Sequence, residues 1–293
     1  MNPLHWIFDP ARPSGARHGG LATAHIIRSD LDNFVREVLQ NARDQRMADH
    51  VVRVRFTFHQ LSGEAKYQFL AGLGWEQLEP HIYGAAREGG ITIGPQLSRA
   101  LEILENDPLT ILRIDDSGTR GLTGGEDDEK ENFNALCRHV LVTSEGSGAR
   151  GGSFGIGKSV LWRFSHLSTV LFSSRTSENL NKGFRLFGRV ELPYHVTDNG
   201  KWDGAGWYGE GQEVEHSLRR AVSVWGKVAE EVARRVNLFR PVQLGIGTSV
   251  LVVAFFEPQR EELRELEELA PDILASATRW FWPSLDPATQ RSK

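Results

Sequence analysis

Three short motifs follow one another in this chain, and each demands a different backbone beneath it. They are Glu37-x-x-x-Asn41-x-x-Asp44, Asp116-Ser-Gly118-x-x-Gly121 and Gly152-x-x-Gly155-x-Gly157. The first needs a helix to bring its polar residues to one side. The second needs a strand that ends in a turn, and the third a glycine loop that opens into a helix. A fold that serves all three must combine sheet and helix.

The pattern between the motifs supplies those elements. Ser29 or Asp30 is placed as the N-cap of a helix running to about Met47. Val52 to Phe58 alternates apolar and polar residues as a half-buried strand does. Residues 61–107 read as two or three short inserted helices, and Leu109 to Ile114 as the strand entering the second motif. Asn132 to Val142 is expected to be helical, Thr143 to Gly152 a Gly/Ser loop, and Gly157 to Phe164 a helix. Strands are expected at Thr169 to Ser174, Phe184 to Leu192 and Ser249 to Phe256. A Gly/Trp-rich loop at 199–211 precedes a long amphipathic helix at 213–237. The tail, 258–282, reads as helix interrupted at Pro271. Such a mixture predicts an α+β fold, a two-layer α/β sandwich with a mixed, mostly antiparallel sheet and helices on one face, rather than repeating βαβ units. It divides into an N-terminal arm over 1–20 carrying Trp6 and Phe8, a main domain over 21–257 and a helical tail over 258–293.

Composition narrows the function. The 293 residues suffice for one large domain or two modest ones, and a formal charge of -4 gives no electrostatic argument for nucleic acid as the main ligand. The single cysteine, Cys137, excludes an intrachain disulfide framework and a cysteine zinc site, and fits a reducing cytoplasm. There is no apolar run of membrane-spanning length and no secretory leader pattern. No H-E-x-x-H zinc motif is present, and a histidine-kinase phosphoacceptor helix is not found. The expected protein is soluble and cytoplasmic, without a membrane partner.

On a helix, Glu37, Asn41 and Asp44 share a face, while Leu31, Phe34, Val35, Val38, Leu39 and Ala42 form an apolar arc roughly a third of a turn away. Asn is a poor helix-interior residue, and Asn41 lies on the flank nearest the apolar arc. Its amide oxygen suits magnesium, which takes oxygen ligands and keeps several waters. Glu37, one turn earlier, is placed to orient or deprotonate an attacking water. Asp44 reads as structural. A solvated helix face is the bland alternative.

The glycine loop has two readings. Gly152-x-x-x-x-Gly157-Lys158-Ser159 matches the P-loop pattern, but a P-loop needs a strand directly before it, and only small and polar residues precede Gly152. In the other reading the glycines form a lid over phosphates, with backbone N–H groups at the start of the next helix binding the anion and Lys158 adding a charge.

The three motifs, in this order, resemble the GHKL ATPases: gyrase B subunits, heat-shock chaperones, sensor histidine kinases, MutL and the MORC proteins. Within that resemblance the fold is the Bergerat ATP-binding fold, Glu37 activates water, and Asn41 holds magnesium. Asp116 accepts from the adenine amino group, with Gly118 letting the backbone approach. Gly121 comes one residue later than the family's D-x-G-x-G pattern, and Asp115 is the alternative if the register slips. Gly247-Thr248 matches a fourth element, a Thr whose hydroxyl joins the Asp in a water network. The implied ligands are ATP and Mg2+, bound through Asn41, Asp116, Gly118, Gly121, Gly152, Gly155, Gly157, Lys158, Ser159 and Thr248. The implied activity is slow hydrolysis coupled to lid closure, with self-association or partner binding as output, Trp6 and Phe8 anchoring an arm that crosses to a second subunit, and bacterial defence or DNA transactions as settings. The chain shows no room after residue 256 for the transducer domain that supplies a lysine in the family. It is expected to be a fragment, or to use Lys158 or a partner instead. Trp280-Phe-Trp-Pro283 either packs or docks onto such a partner. A nucleotide-sensing scaffold without turnover, and a P-loop NTPase or phosphotransferase using Lys158 and Ser159, are the rival functions.

Overall fold

The structure is a computed structural model. It describes residues 4–15, 17, 19, 30–106, 108–139, 159–176, 178, 183–214, 218–260 and 264–285. The architecture is an α+β sandwich built on one antiparallel sheet. Its strands are β1 (Leu4–Pro10), β2 (Arg53–Leu61), β3 (Leu109–Ser117), β4 (Thr169–Arg175), β5 (Phe184–Val190), β6 (His195–Thr197), β7 (Gly200–Glu213), β8 (Arg219–Val222), β9 (Val224–Trp225) and β10 (Gly247–Val252). The main path is β1-β7-β5-β4-β10-β3-β2; β6 and β8 pair with β7, and β9 with β5. Every described pairing is antiparallel.

The central strands are buried along their length: all seven residues of β5, and six of the seven in β4. A strand buried on both faces needs cover on both, and alternate residues do separate into two cores. Leu109 and Ile111 of β3, Leu171 of β4 and Leu251 of β10 pack with the helices α2 (Gly63–Leu73), α3 (Trp75–Glu88), α4 (Gly90–Asn106) and α6 (Gly226–Arg235). Leu112 and Ile114, Phe172 and Val252 face the helices α1 (Leu31–Asp44), α5 (Val160–Arg163) and α7 (Leu266–Leu285). The sequence reading put helices on one face; the inserted segment supplies the layer on the other.

Four further elements differ from that reading. The glycine-rich 199–211 is most of β7, because its glycines mark close approach rather than freedom. A Cβ on Gly206 would lie 2.4 Å from the Phe8 ring, and one on Gly209 would lie 2.3 Å from the Val222 carbonyl. The helix expected over 213–237 is confined to Gly226–Arg235, since Arg219–Val222 and Val224–Trp225 are taken up by pairing with β7 and β5. The opening segment contributes β1, whose Trp6 and Phe8 are buried in this chain's own core. In the tail, α7 runs through Pro271 without a break. No helix among the described residues is long and apolar enough to cross a membrane.

Phe8 stacks on His81 at 3.6 Å, and His81 Nδ1 lies 2.8 Å from His195 Nε2. His195 Nδ1 lies 2.8 Å from the Pro193 carbonyl, so it carries a proton, its Nε2 accepts, and His81 donates. Burial first, and the neighbouring His195 second, push His81 down to about 3; burial lowers His195 as well. Both rings are neutral when folded and protonate near their ordinary value when unfolded, so the unfolded chain binds more protons in acid. Stability is therefore expected to fall as pH drops below about 6.5. Denaturant unfolding in a pH series checks this, and His81→Phe, which keeps the stack, should make the slope shallower.

Candidate nucleotide site

Helix α1 starts where Asp30 Oδ1 accepts from Asn33 N at 2.7 Å, one of the two N-caps expected. Leu31, Phe34, Val35, Val38 and Ala42 are buried, as the apolar arc requires. The polar row divides. Glu37 is 6 % exposed, whereas Asn41 and Asp44 are open to solvent. Helical angle alone places Asn41 nearer the core. The observed order is the reverse: Asn41 is in the last turn of α1, and the described contacts from α7 reach its first half, at Asp32 and Arg36. Glu37 Oε1 accepts from Arg36 Nη2 at 2.7 Å. Desolvation raises the Asp44 carboxyl, and the Glu37 charge adds to the rise.

The end of α1 is bonded to the second motif. Met47 N donates to Gly118 O at 3.0 Å, Arg120 N to Gln45 O at 2.9 Å, and Arg46 bridges Thr119. Gly118 has φ 78°, and a Cβ there would lie 2.4 Å from the Val51 carbonyl, so this turn admits only glycine. Asn41, Asp44 and the Asp116 turn thus belong to one corner of the molecule.

Alternation along β3 separates its two terminal acids. Asp116 lies on the face of Leu112 and Ile114, the face that α1 covers. Asp115 lies on the other. Its carboxylate accepts from Arg113 at 2.8 to 3.0 Å and from Ser249 Oγ at 2.5 Å. Asp115 is thereby engaged on the far side of the sheet, which disfavours it as the base-reading residue.

Asp116 Oδ1 accepts from Thr248 N at 2.9 Å and from Thr119 Oγ1. Among the described residues Oδ2 has no hydrogen-bond partner. The residue is half-buried, and its carboxyl is pushed above the usual carboxylate range. Burial is the main cause and Asp115 contributes, against Thr119, Thr248 and Arg240. Thr248 therefore does meet Asp116, through its backbone N–H.

Two residues that no local pattern reveals hold this arrangement. Arg240 is fully buried and donates to the carbonyls of Asp116 (2.7 Å), Gly245 (3.0 Å), Leu244 (3.2 Å) and Thr248 (3.3 Å), and to Ser249 Oγ (3.2 Å). Ser174 Oγ accepts from Leu122 N at 2.9 Å and donates to Gly247 O at 2.8 Å. The late Gly121 fits here: with φ 73°, a Cβ would lie 2.7 Å from both Arg175 O and Ser174 Oγ. Beyond it, Arg185 donates to the carbonyls of Leu122 and Gly124, and Glu126 accepts from Arg138 and Arg185. That pins the loop to β5.

Of the third motif, Gly152, Gly155, Gly157 and Lys158 lie outside the described residues. Ser159 is buried just before α5, whose helix is a single turn. Cavities of about 310 Å³ and about 280 Å³ occur elsewhere, and neither is lined by Asn41, Asp116 or Thr248. Among the described residues no group of three or more His, Cys, Asp or Glu could hold a metal. No family model, curated protein or solved structure matches the chain.

A Cβ on Gly247, where φ is 147°, would lie 2.5 Å from Asp116 O and 2.7 Å from Asp116 Oδ1. Gly247→Ala is expected to cost about 1–3 kcal/mol in unfolding free energy and to displace the Asp116 carboxylate. Denaturant unfolding measures the first effect and a crystal structure of the variant the second.

Proposed function

We propose that this chain is an ATP-binding module of the GHKL type, which hydrolyses ATP slowly with magnesium and uses the bound nucleotide as a switch for association. One observation carries the reading. Asp116 is fixed through Oδ1 by Thr248 and Thr119, has Oδ2 uncommitted among the described residues, and sits in a turn bonded to the end of the helix bearing Glu37 and Asn41. A carboxylate oriented by two donors, with its second oxygen available, suits recognition of an exocyclic amine such as that of adenine. Asn41 would contribute a carboxamide oxygen to magnesium, which offsets charge on the phosphates. Glu37 would take the proton of the attacking water. Gly152, Gly155, Gly157, Lys158 and Ser159 would close over the phosphates, and their ordering would create the surface for a second copy or another protein. The chain has a single cysteine, Cys137, and it is buried, in keeping with a reducing, cytoplasmic setting.

The alternative of a nucleotide sensor without turnover draws on the Arg36–Glu37 pair, which engages the proposed base. Phosphate release with ATP and magnesium separates the two. For hydrolysis, Glu37→Ala should retain ATP binding and lose about 10²-fold or more in turnover; wild-type turnover in that variant removes the reading. Asn41→Ala should lose the magnesium dependence of ATP binding, measured by titration calorimetry.

Asp116→Asn presents an amide in place of the carboxylate. It should reduce the preference for ATP over GTP by about 1–3 kcal/mol, the cost of an unmatched buried hydrogen bond. Competition binding with both nucleotides tests this, and an unchanged preference would contradict the role of Asp116.

A further inference from the structure

We propose that Arg36 gates Glu37, and that the C-terminal half of α7 holds Arg36 in the closed position. The inference rests on the reading of Glu37 as the base. The chain of contacts is continuous. Ser276 Oγ donates to Asp32 O at 3.2 Å, Arg279 Nη1 to Asp32 Oδ1 at 2.7 Å, and Trp280 Nε1 to Asp32 Oδ2 at 2.8 Å. Asp32 and Arg36 are one turn apart on α1, so they present the same face to α7. The Arg36 guanidinium lies 5.2 Å from the centre of a Trp280 ring, within range of a cation–π contact, and donates to Glu37 Oε1 at 2.7 Å. A single residue of the tail helix therefore touches both Asp32 and the cation that engages the candidate base.

The two halves of α7 are held differently. Leu269 and Ile273 are buried in the core with Phe34 and Val35 of α1. Past Ala277, which still packs on that core, the described contacts to α1 are polar and partly wet: Arg279 and Asp32 are 64 % and 32 % exposed, and Trp280 is 45 % exposed. Exposed ion pairs of this kind are weak. Beside them lies the cavity of about 310 Å³, lined in part by Asp32, Ser276 and Arg279. The end of the helix can lift while its first half stays seated.

In the seated state the guanidinium occupies one oxygen of Glu37. That oxygen is then not open to a water molecule. Lifting the end of α7 withdraws Trp280, lets Arg36 turn to solvent and releases Glu37 to act on water. Trp280 and Arg36 are positioning residues in this scheme, and neither needs to touch nucleotide.

The test compares steady-state ATP turnover and ATP affinity in wild type, Glu37→Ala, Arg36→Ala, Trp280→Ala, Trp280→Phe and the double variant Arg36→Ala/Glu37→Ala. Arg36→Ala and Trp280→Ala should each raise kcat several-fold with ATP affinity unchanged. Trp280→Phe keeps a ring face for the cation and should stay near wild type, and the double variant should be inactive. In nucleotide-free protein, the Tm losses of Arg36→Ala and Trp280→Ala should fail to add in a second double variant, Arg36→Ala/Trp280→Ala. A kcat for Arg36→Ala at or below wild type overturns the gate, and strictly additive Tm losses overturn the link through Trp280. Should Glu37→Ala itself turn over normally, the base reading falls and the gate with it. Inactive Glu37→Ala beside an unaltered Arg36→Ala leaves the function standing and removes the gate alone.

Discussion

The corner of the molecule that carries the proposed site depends on one carboxylate being held by the strand beside it. Asp116 is the last residue but one of β3 and Thr248 the second of β10, and the bond from Thr248 N to Asp116 Oδ1 joins two neighbouring strands where their ladder finishes. Arg240 makes the joint rigid by binding carbonyls on both sides of it. A fully buried guanidinium is costly to desolvate, and here nearly all its donors meet backbone acceptors, which is the condition for such a group to persist in a core. Burial lowers the Arg240 affinity for its proton while Asp116 and Asp115 raise it. Acid and base are thus mutually supporting, and the backbone between them has little freedom.

How much of this was legible in the sequence follows from how local each signal is. The α1 cap, its apolar arc, the strand entering Asp116 and the three inserted helices depend on residues within a turn or two of one another, and all are found. Strand β7 was hidden because a glycine reads as looseness unless its neighbour is known. Phe8 and Val222, which press on Gly206 and Gly209, are distant in sequence. Arg240 and Ser174 were invisible for the same reason. Their acceptors are main-chain carbonyls and amides brought near by the sheet, and no spacing in the sequence encodes that.

Burial along α1 shows a subtler limit. Helical angle predicts which side a residue faces, and for Leu31 through Ala42 it does so well. It says nothing of where along the axis a covering element stops. Glu37 is enclosed and Asn41 is open, and the described bonds from α7 reach the first turn of the helix, at Asp32. The proposed base and the proposed metal ligand therefore occupy different dielectric surroundings, although four residues separate them. A shielded acid beside an accessible amide is a workable division of labour for proton transfer next to a hydrated cation.

The neighbouring acids at the end of β3 point to opposite sides of a sheet one backbone thick. One is tied to Arg113 and Ser249; the other retains an oxygen for a visitor. Inserting or deleting one residue upstream in this strand would exchange them, turning the tethered group toward the cleft and the available one into the opposite layer. Chemical composition would be almost unaltered, yet the proposed recognition would vanish. Strand length, counted in single residues, is thus as much a determinant of ligand choice as any side chain.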